Sequence, residues 1–240
     1  MTIDFQFENL AEDAVLLRFG ERIDSRLNAA VLAASACLQR ELPQLECVPA
    51  YASLLLRFDP LAWSGTSADP HQRVRDAVQA ALSTPEVDHA ATREHVIPVC
   101  YGGAYGPDLE DVARHAGLSP DAIIARHGAA DYRVGMIGFA PGFPYLLGLD
   151  PALAMPRRGD PRQRVPAGSV AIGGEQTGIY PRELPGGWQL IGRTPLRLFD
   201  IDADSPSLLA PGDRVRFSAI DQAAFARLQA ETESEPESGR

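Results

Sequence analysis

The chain has 240 residues, 45% of them apolar, with a formal net charge of −10, and a soluble chain of this size buries roughly 70–75% of its unfolded surface, enough for two modest cores or one large one. The acidic balance excludes a general nucleic-acid or anionic-membrane binder, because neutralising phosphates requires a basic face. All 22 basic residues are arginine, so Schiff-base, biotinyl-lysine and lysine-dependent phosphate-loop chemistry cannot reside on this chain.

Ile3 to Leu10 and Ala14 to Phe19 read as strands, the second ending at Gly20. A helix follows from Ser25, where Leu27, Val31, Ala34 and Leu38 recur at intervals of three and four. Asp24 or Ser25 supplies its N-cap, and Pro43 lies just beyond its end. Cys47 to Ala50 and Ser53 to Phe58 read as two more strands. Residues 67–83 read as a second helix with Val74, Ala77, Val78 and Ala81 on one face. Four strands and two helices predict a small N-terminal α+β domain over residues 1–88.

The polar stretch Ser83 to Glu94 reads as a linker, and the composition changes after it: residues 98–199 hold 17 of the 21 Gly and 12 of the 20 Pro. A second domain is predicted over residues 92–219, opening with a strand over His95 to Cys100. Pro107 and Pro120 are placed at the first positions of two short helices, closed by Gly117 and Gly128. The short runs RVGMIGF, GSVAIGG, QLIG, LRLF and RVRFS, separated by turn signals, predict an antiparallel barrel or sandwich, with Pro211-Gly212-Asp213 turning into the last strand. Residues 220–240 read as a short helix giving way to an acidic, disordered tail.

Residues 133–197 contain eight Arg against four acids, an island suited to an anionic ligand. Within it, GFAPGFPYL would bend around a concavity walled by Phe139, Pro141, Phe143 and Tyr145, or form a barrel corner with its rings in the core. Arg157, Arg158, Arg162 and Arg164 lie on a proline-stiffened stretch, two expected as oxyanion clamps and two as surface charge. Residues 173–180 combine turn amides with Gln176, Thr177 and Tyr180, a set able to hydrogen-bond an amide or phosphate; a plain hairpin connection is the alternative.

Three widely spaced cysteines and five His without metal-ligand spacing predict neither a disulfide framework nor a metal site. His95 reads as a polar strand edge and His127 as a cation at a helix C-terminus. No G-x-S-x-G elbow is present, and Ser169 has no assignable partner. The first residues lack a basic region followed by an apolar stretch, and no window approaches a membrane span, so a cytoplasmic location is expected.

The segments HVIPVCYGGAYGPDLEDVA, YRVGMIGFAPGFPYLLGLD, VPAGSVAIGGEQTGIYP and PGGWQLIGRTPLRLF, with PAYASLLLRFDP in the first half, resemble the family of the B subunit of bacterial 5-oxoprolinase (PxpB), also called allophanate hydrolase subunit 1 or KipI. The resemblance covers roughly residues 5–218 and implies a small N-terminal α/β domain followed by a cyclophilin-like β-barrel. It further implies ATP-dependent opening of 5-oxo-L-proline to L-glutamate in a complex with a C-subunit-like chain and an A-subunit-like (LamB/YcsF) chain, the ATP bound here or by a partner. From motif position, Arg157, Arg158, Gln176, Thr177, Tyr180, Arg193 and Thr194 are expected to supply the polar lining, with no catalytic residue assigned. Two other activities accompany the same family: inhibition of a sensor histidine kinase, and half of a biotin-dependent, urea-type carboxyltransferase.

Overall fold

In a computed structural model describing residues 4–64, 69–83 and 92–234, the chain divides into two units, Met1–Thr92 and Arg93–Arg240. The first contains β1 (Gln6–Ala11), β2 (Ala14–Arg18), α1 (Ser25–Glu41), β3 (Glu46–Pro49), β4 (Ser53–Arg57) and α2 (Pro70–Leu82). Its strands form an antiparallel sheet in the order β1-β2-β4-β3. Alternation turns Val15, Leu17, Leu54 and Leu56 to one face, where they meet Val31, Ala34 and Leu38 of α1 and Val74 and Val78 of α2. Asp24 caps α1 by accepting the amides of Arg26 and Leu27. Ile3, residues 67–68 of the predicted second helix and residues 84–91 of the predicted linker lie outside the described residues.

The second unit contains β5 (Glu94–Tyr101), α3 (Leu109–Ala116), α4 (Pro120–Ala129), β6 (Tyr132–Ile137), β7 (Pro144–Leu147), β8 (Arg162–Val165), β9 (Ser169–Gly173), β10 (Gln176–Ile179), β11 (Leu184–Gly186), β12 (Gln189–Arg193), β13 (Arg214–Ala219) and α5 (Gln222–Ser234). Seven strands close into a barrel in the order β10-β7-β6-β13-β5-β12-β9, while β8 and β11 pair outside it. The barrel is not wholly antiparallel, because β13 runs parallel to β5 from Arg214↔Glu94 to Ala219↔Val99. Parity forces this: strand direction cannot alternate all the way round a closed ring of seven strands. Inward residues such as Val99, Val134, Leu146, Val170, Ile172, Ile179, Ile191 and Val215 fill the core, joined by Val112 of α3 and Ile123 of α4.

Three local expectations are corrected. Pro107 does not open α3, which begins at Leu109: Asp108 takes the N-cap position, with non-helical backbone whose amide donates to the Leu190 carbonyl. Gly128 lies inside α4 instead of ending it: a Cβ there would come within 3.3 Å of the Phe217 carbonyl, so the glycine permits helix and strand to approach. The LRLF run forms no strand, only a single bridge between Phe199 and Ser207. The short helix expected before the tail is α5, where Phe225 is buried with its ring 4.6 Å from that of Tyr105. Residues 235–240 lie outside the described residues.

Candidate functional site

The Gly138–Gly142 turn is built from strained backbone. Phe139 has φ 67°, the only positive φ at a non-glycine residue among those described, and its side chain is 61% exposed. The Ala140 amide donates to the Gly138 carbonyl and the Phe143 amide to the Ala140 carbonyl, which holds the bend. Beneath it the rings of Phe143, Tyr145, Tyr180 and Trp188 meet largely edge to face, with centroids 4.9 to 5.8 Å apart. Phe143 and Tyr180 are buried there with Val165, Ala171 and Leu190, so these two are core. Tyr145 is half-buried beside them, and Pro141, on the outer side of the turn, lines a cavity.

The residue 173–180 motif is a hairpin. Gln176 pairs with Gly173, leaving Gly174 and Glu175 as a two-residue turn with Gly174 at φ 65°. The Gly174 amide donates to the Met155 carbonyl at 2.7 Å, which leaves it no anion to meet. Gln176 and Thr177 are buried in β10. Thr177 Oγ1 donates to the Ala171 carbonyl at 2.9 Å and takes the Nε2 proton of His127 at 3.1 Å; His127 Nδ1 accepts the Tyr101 hydroxyl at 2.8 Å. Burial pushes the His127 pKa down to about 3. The expectation of a helix-end cation is therefore replaced by a neutral imidazole inside the barrel, stacked on Phe217 at 4.4 Å.

The arginine-rich stretch resolves into distinct environments. Asp108, 2% exposed, accepts Arg162 Nη2 at 2.7 Å, Arg158 Nη1 at 3.3 Å and the Leu190 amide at 2.7 Å. Two of the four arginines are thus held by one buried carboxylate. Arg157 lies over the Trp188 ring, 5.6 Å from its centroid. Arg164 is exposed, 3.7 Å from Glu183.

The expected lining does not converge on one cavity. Arg157 and Arg158 border a depression of about 670 Å³ with Arg114, His115 and Gln189. Arg193, Thr194 and Pro141 border another, of about 740 Å³, with Arg197, Phe199 and Phe225. Thr177, Tyr180 and Phe143 belong to packed interiors. Arg193 Nε donates to the Ala167 carbonyl at 2.8 Å, and the Thr194 amide donates to the Gly168 carbonyl at 2.9 Å. Sequence reasoning missed two contributors. Asp108 carries no local signal, since its partners are 50 and 54 residues away. Phe225 lies in a segment whose composition reads as leading into a tail.

The Carboxyltransferase domain, subdomain C and D family model matches residues 5–209. The B subunit of 5-oxoprolinase from Bacillus subtilis (strain 168) is 43% identical over 97% of this chain and 100% of its own length. The chain belongs to the 5-oxoprolinase B-subunit family. A second member, the 5-oxoprolinase B subunit of Escherichia coli O157:H7, is 60% identical over 121 residues, 50% of this chain and 56% of its own. The crystal structure of TTHA0988 superposes with a TM-score of 0.75 at 40% identity over 87% of this chain, which spans only 40% of that longer one. Family membership carries the fold that the motifs implied, a mixed α+β chain with a closed barrel, and it implies assembly with other subunits.

Proposed function

We propose that this chain is the barrel-bearing member of an ATP-dependent complex that opens 5-oxo-L-proline to L-glutamate, completed by C-subunit-like and A-subunit-like (LamB/YcsF) chains in the cytoplasm. Near-full-length identity with the Bacillus subtilis 5-oxoprolinase B subunit supports this reading. In the reaction the lactam C–N bond breaks, the nitrogen leaves as the amine, and one water oxygen enters the new carboxylate; ATP is hydrolysed with a second water. A five-membered lactam is an unreactive amide, so coupling supplies the drive. This chain contributes by orienting the acid and balancing its charge. The Gly168 and Gly174 turns do not fit a phosphate cradle: their amides already donate to the Tyr180 and Met155 carbonyls, and lysine is absent. In this reading the nucleotide is bound by a partner chain.

The test is to purify the chain with its partner subunits and follow ADP release with and without 5-oxoproline. The reading requires 5-oxoproline-dependent release by the assembly and no turnover by this chain alone. Transfer of a carboxyl group from carboxybiotin to urea, with ADP release indifferent to 5-oxoproline, would establish instead the carboxyltransferase reading that the matched family model's description favours.

A further inference from the structure

Two of the groups that wall the cavity beside Arg193, the arginine itself and Thr194, have hydrogen bonds that can be accounted for atom by atom. Arg193 ends β12, and its Nε is committed to the Ala167 carbonyl, while its two Nη groups have no partner among the described residues. No described acid pairs with it, whereas Arg197, on the same rim, is held by Asp200 at 2.7 Å. Thr194 is 2% exposed; its Oγ1 accepts the Leu196 amide at 3.3 Å, and its hydroxyl proton has no acceptor among the described residues. A fixed guanidinium fork and a nearly buried hydroxyl donor thus face one space, and both lack the oxygen they would bind.

The geometry points to a carboxylate-binding site for a small ring-bearing acid; only the identity of that acid, 5-oxo-L-proline, rests on the function proposed above. The two Nη donors share a plane that matches two carboxylate oxygens, and the Thr194 hydroxyl adds a third donor. A phosphate, with more oxygens to satisfy, would need backbone amides, and these are withheld. The amides of Gly168, Thr194 and Leu196 donate within the chain, and Pro195 and Pro181, both on the wall, have none. The rest of the lining mixes Arg182 and Glu183 with apolar Pro141, Phe199 and Phe225, which could contact a ring. Phe225 brings α5 to the cavity together with Gln229 and Thr232, at spacings of four and three that form one stripe of the helix. The volume, about 740 Å³, lies within the usual range for small-molecule sites.

The experiment is calorimetric titration of the full-length chain with 5-oxo-L-proline, with 2-pyrrolidinone, the same ring without the carboxylate, and with inorganic phosphate. The acid binds at millimolar concentration or tighter, whereas 2-pyrrolidinone and phosphate do not and phosphate does not displace it. Arg193→Met weakens the acid on the order of 10- to 100-fold, the loss of a charge-assisted pair. Thr194→Val weakens it on the order of tenfold, and Thr194→Ser, which keeps the hydroxyl, restores it. Thermal melts accompany each variant, and should Arg193→Met not fold, the Thr194→Val and Thr194→Ser pair decides.

Equal binding of 2-pyrrolidinone, displacement by phosphate, no binding of the acid, or affinity unmoved in a folded variant each overturns the assignment. The two proposals fail separately. If the assembled complex releases ADP in response to 5-oxoproline with a KM unchanged by Arg193→Met, the site is wrong and the function stands. If Arg193 and Thr194 hold the acid but the complex ignores it, the site stands and the function is wrong.

Discussion

Two arginine-bearing regions of the barrel unit differ in how their charge is balanced. Around Asp108, Arg158 and Arg162 converge on one buried carboxylate that also accepts the Leu190 amide, so the cluster ties the segment before β8 to the start of α3 and to β12. Beside Thr194, Arg193 is fixed through Nε alone and has no ion pair among the described residues, although Glu183 lines the same cavity. The first arrangement is a clasp centred on a buried carboxylate, although Arg162 Nη1 is buried there without a partner. The second has no carboxylate partner from the fold. Composition cannot separate the two, because arginine on a proline-stiffened loop serves either purpose; the presence or absence of a buried carboxylate partner separates them.

The largest effect expected from this contrast is on stability at the clasp. Asp108→Ala leaves two part-buried guanidinium groups and the Leu190 amide without their acceptor, a loss of about 3–5 kcal/mol. Urea unfolding of the full chain reads this as a lowered midpoint. An unchanged midpoint accompanied by lost ligand binding would dissolve the distinction, since Asp108 would then belong to a site.

Two threonines offer a second contrast. Thr177 has both its donor and an acceptor position engaged, through Ala171 and His127, whereas Thr194 has only an acceptor position engaged. His127 titrates at about 3 in the fold against 6.5 for an ordinary imidazole, so the unfolded chain binds the proton more readily. The sign follows directly. Above pH 6.5 there is no penalty; the penalty grows as the pH falls from 6.5 and levels off near pH 3, where it reaches several kcal/mol. His127→Gln is expected to lower stability at neutral pH and to make its dependence shallower by about one proton across that window. Equal slopes in the two proteins would mean that the imidazole is not held neutral.

Backbone geometry separates the regions more finely. At Gly168, φ is 77° and a Cβ would lie 2.2 Å from the Thr194 carbonyl oxygen, so Gly168→Ala must displace the residue that carries the unsatisfied hydroxyl. A cost of about 2 kcal/mol is expected, with weakened binding of the acid. Gly117→Ala is the comparison: φ is 65° but a Cβ would meet nothing within 4 Å, so a cost of about 1 kcal/mol comes without any change in binding. If both variants bind the acid as the parent does, the Gly168 turn does not shape the site.

Much of the architecture was legible in local pattern. Asp24 as a cap, Val31, Ala34 and Leu38 as a buried stripe, and the alternating strands β2 and β4 all obey rules that act within a few residues. What escaped depends on partners far along the chain. Nothing near Gly128 announces that Phe217 presses on it, and nothing near His127 announces Tyr101 and Thr177. The same holds for the candidate site. Its motifs drew attention to one stretch of chain, but the assignment of Arg158 to Asp108, of Tyr180 to the aromatic core and of Arg193 to a cavity rests on tertiary placement.

The smallest effect is expected at Arg164, and it tests the contrast from the other side. Arg164 lies in the same proline-punctuated run as the clasp arginines, yet its side chain is 82% exposed and its ion pair among the described residues reaches Glu183 at 3.7 Å, itself 59% exposed. An exposed pair gains little because water screens it and two long side chains lose freedom to form it. Arg164→Gln should therefore change stability by no more than about 0.5 kcal/mol and leave binding of the acid untouched. Were it to weaken the acid as Arg193→Met does, the relevant property would be the positive field of the whole arginine island and not a defined fork. High salt would then abolish binding in the parent too, whereas a half-buried Arg193 contact retains most of its strength.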